Sequence, residues 1–262
     1  MCSMWREARG IELQYRRHAS LLAMPAIRME HQAFKKEVLE KMIVTDKMGV
    51  HLEQSNASDL LVARAAWVSN YGEDARQKDG DRIEGLITFL YKNKHMSPFE
   101  HGDFTFFIDV PIFVAREFMR HRTFRFNEVS GRYSKLSPKF YVPNESRPVL
   151  QQGKIGSYSF TNGTSNQYEL MKDEHTDAYD TAWACYEQMI EAGIANEVAR
   201  NVLPVGIYTQ FYASVSPRNL MHFLGLRNAP EALEEIRVVA EAMELILEAQ
   251  MPITYSAYKE NQ

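Results

Sequence analysis

"DFTFFIDVPIFVAREFMRHR", residues 103–122, changes its periodicity halfway along. Phe104, Phe106 and Ile108 alternate with Thr105, Phe107 and Asp109, the two-residue period of a strand whose faces meet different surroundings, in a run rich in aromatic residues. Pro111 then suits the first turn of a helix, because its missing N–H is one that a helix leaves unpaired there anyway. The residues up to Arg122 continue as that helix, with Arg116 and Arg120 on one face and Glu117 and His121 on a neighbouring one. Cations at a helix C-terminus are favoured by its dipole, so one reading of the basic end is simple stabilisation without a ligand.

Working outward, "SDLLVARAAWV" (58–68) opens on a Ser cap and "DRIEGLITFLYK" (81–92) carries Ile83, Leu86, Ile87 and Leu90 on one stripe; both read as helices. Residues 143–166, rich in Pro, Gly, Ser and Asn and without periodicity, read as a long surface loop. A long amphipathic helix is expected over 168–192, with Met171, His175, Ala178, Ala182, Cys185 and Met189 in register, which places Cys185 in the core. "GIYTQFYASVS" (206–216) alternates like a strand. "SPRNLMHFLGLRN" follows as a helix carrying Arg218, His222 and Arg227, and 230–249 is a last helix with Leu233, Ile236, Val239, Met243 and Ile246 inward. Strands and helices mix without a repeat or a dividing linker. The expected fold is therefore a single α+β domain.

The chain has 262 residues, long enough to bury a proper core, and is 45% hydrophobic and 24% charged. Its net charge of -4 speaks against general affinity for nucleic acid, which depends on dense positive charge, so any anion site must be local. Two cysteines, Cys2 and Cys185, stand in no metal-ligand spacing and suggest a reducing compartment, here taken as the cytoplasm. No apolar run is long enough for a membrane span. Residues 1–41 read as an amino-terminal extension to a domain over 42–262; their beginning is either loosely structured or lies upstream of the true start, since Met24 and Met29 are closer to the ordered pattern.

Local chemistry concentrates in "RHRTFRFNEVSGRYS", 120–134. Asn127, Ser130 and Gly131 supply a turn with exposed backbone N–H groups, and Arg132 adds a planar fork able to grip two oxygens of one phosphate. A single-stranded nucleic-acid track would spread basic and stacking residues over more positions, and the stretch is unlike a P-loop. "HMSPFEH" (95–101) has no zinc-protease spacing, so no metal is expected. There is no nucleophile elbow either. A site of Arg, His and aromatic residues without a covalent or metal catalyst points to an organic cofactor.

These residues resemble a known family. Arg120-His121-Arg122, seven residues, then Ser130, with Asn127-Glu128 between and Gly131-Arg132-Tyr133-Ser134 after, is similar to the RHR-x7-S signature of flavin-dependent thymidylate synthases. "ARAAWVS" (63–69), "HMSPFEH", "PIFVARE" (111–117), "EVARNVLP" (197–204) and "NLMHFLGLR" (219–227) resemble other blocks of that family in the expected order. The resemblance implies helices packed with a mostly antiparallel sheet, and a homotetramer whose sites are shared between subunits.

It also implies conversion of dUMP to dTMP with methylenetetrahydrofolate as carbon donor, FAD as cofactor and NADPH as reductant. By the same resemblance dUMP meets Glu117, Arg120, Glu128, Ser130, Gly131, Arg132, Arg200 and Arg227, with Arg227 activating the uracil in place of a Cys nucleophile. FAD meets Ser97, Arg120, His121, Arg122, Glu128, Arg218 and His222, and His95 lies where folate or nicotinamide stacks. Glu117 stands where Gln is common. Taken singly, His222 reads equally as a core histidine, Arg227 as a C-terminal cap and Arg200 as a partner of Glu197 on its own helix. Two rivals remain: a single-stranded nucleic-acid module, and a family member acting on another uracil-containing substrate.

Overall fold

The computed structural model describes residues 42–80, 82–154 and 157–261, so the expectations for 1–41 lie outside the described residues. Two short strands come first, β1 (Ile43–Thr45) and β2 (Gly49–Ser55), neither of which the sequence pattern had suggested. Helix α1 (Asp59–Tyr71) starts where the Ser58 hydroxyl accepts the Leu61 N–H at 3.1 Å, removing one of the donors that a helix start leaves unpaired. Helix α2 (Ile83–Lys92) ends in two reversed bonds: the His95 N–H donates to the Leu90 carbonyl at 2.9 Å and the Lys94 N–H to that of Tyr91 at 3.0 Å. This double closure requires a left-handed residue between them, and Lys94, at φ 59°, is the one described non-glycine residue with positive φ. A side chain in that conformation costs about 1 kcal/mol against glycine.

Strand β3 (Phe104–Pro111) confirms the alternation: Phe104, Phe106, Ile108 and Val110 are fully buried while Thr105, Phe107 and Asp109 face the other way. Each buried side chain of this size contributes roughly 1.5–3 kcal/mol by leaving water. Pro111 closes the strand and, as residue before the first turn rather than in it, opens helix α3 (Ile112–Phe118). That helix is shorter than its sequence suggested. Successive tight bonds, Arg120 N–H to Glu117, His121 N–H to Phe118 and Phe124 N–H to His121, wind the chain off the helix. They let Phe118 and Phe124 meet edge to face at 5.3 Å. Arg120 is thus outside the helix and does not share its face with Arg116.

The chain returns as β4 (Arg125–Glu128), then β5 (Lys139–Tyr141). The stretch read as a loop over 143–166 contains a hairpin, β6 (Leu150–Lys154) and β7 (Ser157–Thr161). Gly153, at φ 95°, takes a conformation unfavourable to other residues where the two strands close on each other. Helix α4 (Ser165–Glu191) begins three residues earlier than expected, at a capping box between Thr164 and Gln167. Its buried face is Tyr168, Tyr179, Trp183 and Tyr186, adjacent to the stripe inferred from sequence; Ala178 and Cys185 are exposed, so Cys185 is not a core residue. The physical reason is that the aromatic face buries more apolar area.

A short helix α5 (Asn196–Ala199) precedes β8 (Tyr208–Val215), α6 (Pro217–Arg227), α7 (Glu234–Gln250) and α8 (Pro252–Lys259), the last unforeseen and the one before it starting four residues later than expected. The main sheet runs β2-β3-β8-β4, all antiparallel; β1 pairs parallel with β5 beside it. One sheet face and helices α2, α3, α6, α7 and α8 enclose the larger core. A second cluster, built on Phe140, Trp183 and Tyr186, seats α4. The result is one α+β domain with a mostly antiparallel sheet, as expected.

Candidate active site

"TFRF", 123–126, explains how the basic turn is held. Phe124 and Phe126 stack at 5.8 Å and pack with Phe118, Phe211 and Phe223, while Arg125 points away to Asp103 at 2.8 Å. This aromatic wall also supports His121, whose ring meets that of Phe223 at 4.8 Å. The turn is consequently pinned from below, and its side chains line a cavity of about 550 Å³ with the end of α6: Glu117, Arg120, His121, Arg122, Thr123, His222, Leu226 and Arg227.

Arg227 is held by two partners. Its Nε–H donates to His121 Nε2 at 2.9 Å, and Nη1 donates to Glu117 Oε2 at 3.2 Å, with Nη2 at 3.5 Å from the Glu117 carbonyl. An acceptor Nε2 must be unprotonated, which leaves the ring proton on Nδ1. Burial, then the charges of Arg227 and His222, push the His121 pKa down to about 4, so the ring is neutral at physiological pH. Of the five guanidinium N–H groups three are engaged, leaving two for a ligand. Three arginines face one carboxylate across this cavity, so it attracts an anion.

A second cavity, of about 870 Å³, adjoins the first through shared Thr123, His222 and Leu226, and is lined in addition by Tyr91, Lys94, Met96, Arg218, Asn219, Tyr258 and Lys259. Arg218 pairs with Glu100 across its rim. Of the expected flavin residues, Arg120, His121, Arg122, Arg218 and His222 are thus gathered along one continuous cleft. Ser97 starts a 3-10 turn over Ser97–Glu100, and neither it nor His95 lines the cleft; the His95 ring lies edge-on to Phe89 at 6.0 Å.

The residues expected on the phosphate form a separate group. Ser130, Gly131 and Arg132 make a turn after β4, and a Cβ on Gly131 would come within 3.2 Å of the Arg200 side chain. A larger residue there would push the Arg200 and Leu136 side chains aside by a few tenths of an ångström. Arg132 donates through Nε to Glu197 Oε2 at 2.8 Å, so Glu197 pairs with Arg132 and not with Arg200 on its own segment. Glu128 accepts from the Thr209 hydroxyl at 2.5 Å. None of these residues lines the cavity of Arg227. Asn127 lies within β4 and not in the turn.

Sequence reasoning missed Tyr91, Lys94, Asn219 and Tyr258, which come from elements far apart in the chain; the first three stand near "HMSPFEH" or Arg218, and Tyr258, in the unforeseen last helix, carried no signal. Among the described residues no group of three or more metal-ligating side chains gathers, and no helix is long and apolar enough to cross a membrane.

Comparison with known proteins gives this geometry a family. The model of the thymidylate synthase complementing protein family matches residues 51–253. A flavin-dependent thymidylate synthase of Streptomyces coelicolor is 46% identical over 232 residues, 84% of this chain and 94% of the relative. One of Tropheryma whipplei is 41% identical over 226 residues, 83% of this chain and 94% of the relative. Among solved structures, the UMP/dUMP methylase PolB of Streptomyces cacaoi, bound with 5-Br dUMP, superposes with a TM-score of 0.79 at 41% identity, covering 84% of this chain and 97% of that one. By the extent of these matches, the chain belongs to the flavin-dependent thymidylate synthase family and is an enzyme of its methyl-transferring kind.

Proposed function

We propose that this chain methylates dUMP to dTMP in the cytoplasm, using FAD, with methylenetetrahydrofolate as carbon donor and NADPH as reductant. The observation that carries the reading is the placement of Arg227, fixed by His121 and Glu117 at the wall of a cavity that also presents Arg120 and Arg122. These residues fit a flavin dinucleotide: Arg120, Arg122 and Arg218 offer charge to its diphosphate, and the neutral His121 ring and the His222 ring offer polar edges along the cleft. Once reduced by NADPH, the bound flavin would supply the hydride.

The uracil ring is a poor carbon nucleophile at C5. A guanidinium set against its O2 and N3 stabilises the negative charge that builds as C5 attacks, and two N–H groups of Arg227 remain for this. Because its other donors are already engaged, the guanidinium is oriented before substrate arrives. Ser130, Gly131, Arg132 and Arg200 hold the phosphate, and Glu128 orders the strand leading to that turn. The separation of this turn from the Arg227 cavity supports a homotetramer in which neighbouring copies complete each site. His95 and Ser97 are chain neighbours of the cavity-lining Lys94 and Met96, and folate or nicotinamide would stack at His95.

Release of tritium from 5-tritiated dUMP, with methylenetetrahydrofolate and NADPH, should depend on added FAD; release unaffected by FAD would overturn the reading. UMP is a second candidate substrate, because PolB has been solved with 5-Br UMP as well as 5-Br dUMP. Competing UMP against dUMP in the same assay decides between a deoxy-specific enzyme and one accepting both.

A further inference from the structure

Lys94 occupies a position that glycine would fill at lower cost. It is the left-handed residue of the turn closing α2, and the turn's two backbone bonds would form equally well with glycine there. Strain kept at one residue directs attention to what its side chain does. The Lys94 ammonium sits 5.1 Å from the centre of the Tyr91 ring, and both residues line the 870 Å³ cavity.

Two other cations line that cavity, and each already has a carboxylate: Arg218 pairs with Glu100, and Lys259 with Glu244 at 2.9 Å. Among the described residues Lys94 has no carboxylate partner, so its charge can meet a ligand without first giving up an ion pair. The cavity borders that of Arg227, the two sharing Thr123, His222 and Leu226. A ligand long enough to occupy both must cross this rim. A dinucleotide does so with a diphosphate at its middle.

We propose that Lys94 contacts the diphosphate of the flavin dinucleotide, its strained backbone being kept because it aims the ammonium at those oxygens. The inference rests on the flavin-dependent reading above.

The test is FAD titration of the flavin-stripped full chain, followed by flavin fluorescence, with thermal unfolding of the same preparations. Lys94→Gly should weaken FAD binding about tenfold, the loss of one charge-assisted contact. The same substitution should raise the unfolding midpoint of the flavin-free chain by about 2–4 °C, because the turn is relieved. Lys94→Arg, which keeps the charge, should bind FAD within about threefold of the parent. Unchanged FAD affinity in Lys94→Gly overturns the proposal, and so does weaker binding with a lowered midpoint, which marks a merely structural residue. Unchanged FAD affinity with a raised KM for NADPH would move the contact to the reductant's diphosphate and likewise overturn it. A parent chain that binds no FAD at all would instead overturn the flavin-dependent reading itself.

Discussion

The two basic turns of the RHR-x7-S segment are built to opposite standards. At Arg120-His121-Arg122 the backbone is wound by three successive tight bonds over an aromatic wall, His121 is 8% exposed, and the Arg227 side chain it holds is 23% exposed. At Ser130-Gly131-Arg132 the Arg132 side chain is 55% exposed and its partner Glu197 is 51% exposed. Buried donors locked by partners cannot reorient without leaving a polar group unpaired, at a cost of about 1–3 kcal/mol. An exposed ion pair is worth at most about 1 kcal/mol, so an arriving phosphate can take Arg132 from Glu197 easily. Under the proposed function, the first turn is preformed for chemistry and the second adjustable for phosphate capture.

The largest effect should come from breaking the preformed side. Arg227→Ala should lower dTMP formation by at least about a hundredfold while NADPH oxidation through the flavin largely persists. Equal loss of both activities would mean that Arg227 only supports the fold. The comparison then extends to pH. With a folded pKa of about 4 against an ordinary 6.5, His121 takes up a proton in the unfolded chain before it does so in the folded one. Stability is therefore full above pH 6.5 and falls as pH drops toward 4, by about 2 kcal/mol between pH 7 and 5. Urea unfolding at the two pH values should show this loss in the parent and a smaller one in His121→Gln; identical losses would show that the ring is not held neutral by its site.

On the adjustable side, Arg132→Ala should raise KM for dUMP by about 10–100-fold with a much smaller change in kcat, since the phosphate is bound alike in ground and transition states. A fall confined to kcat would place Arg132 in the chemistry and erase the contrast. Smallest of all, Glu197→Gln should change KM for dUMP by less than about threefold and leave the unfolding midpoint unmoved. A shift of several degrees would show that the exposed pair is as structural as the buried one.

Much of this arrangement was legible beforehand, and the failures have a common cause. Strand β3 and helices α1, α2 and α6 declared themselves because each faces a core on one side only, which writes a period into the sequence. Strand β4 did not: four residues long, it sets Arg125 outward and Phe126 inward, too short a run for an alternation to show. The β6–β7 hairpin is exposed on both faces, apart from a half-buried Leu150, and so carries no hydrophobic period at all. In α4 two adjacent stripes both satisfy helical spacing, and periodicity alone cannot choose between Cys185 and Trp183. Lys94 escaped notice because a left-handed lysine looks like any other in a sequence.

By itself, then, the sequence determined the α+β class, the family through its motif and blocks, and the residue types available to the site, because these depend on local period and on chemical identity. Only the tertiary structure decided that Arg227 rests on His121 and Glu117, that Arg132 turns to Glu197, and that the phosphate turn stands apart from the Arg227 cavity. Those pairings join residues separated by 65 to 110 positions. They follow from how the aromatic core folds the chain back on itself, and no local pattern encodes a distance of that kind.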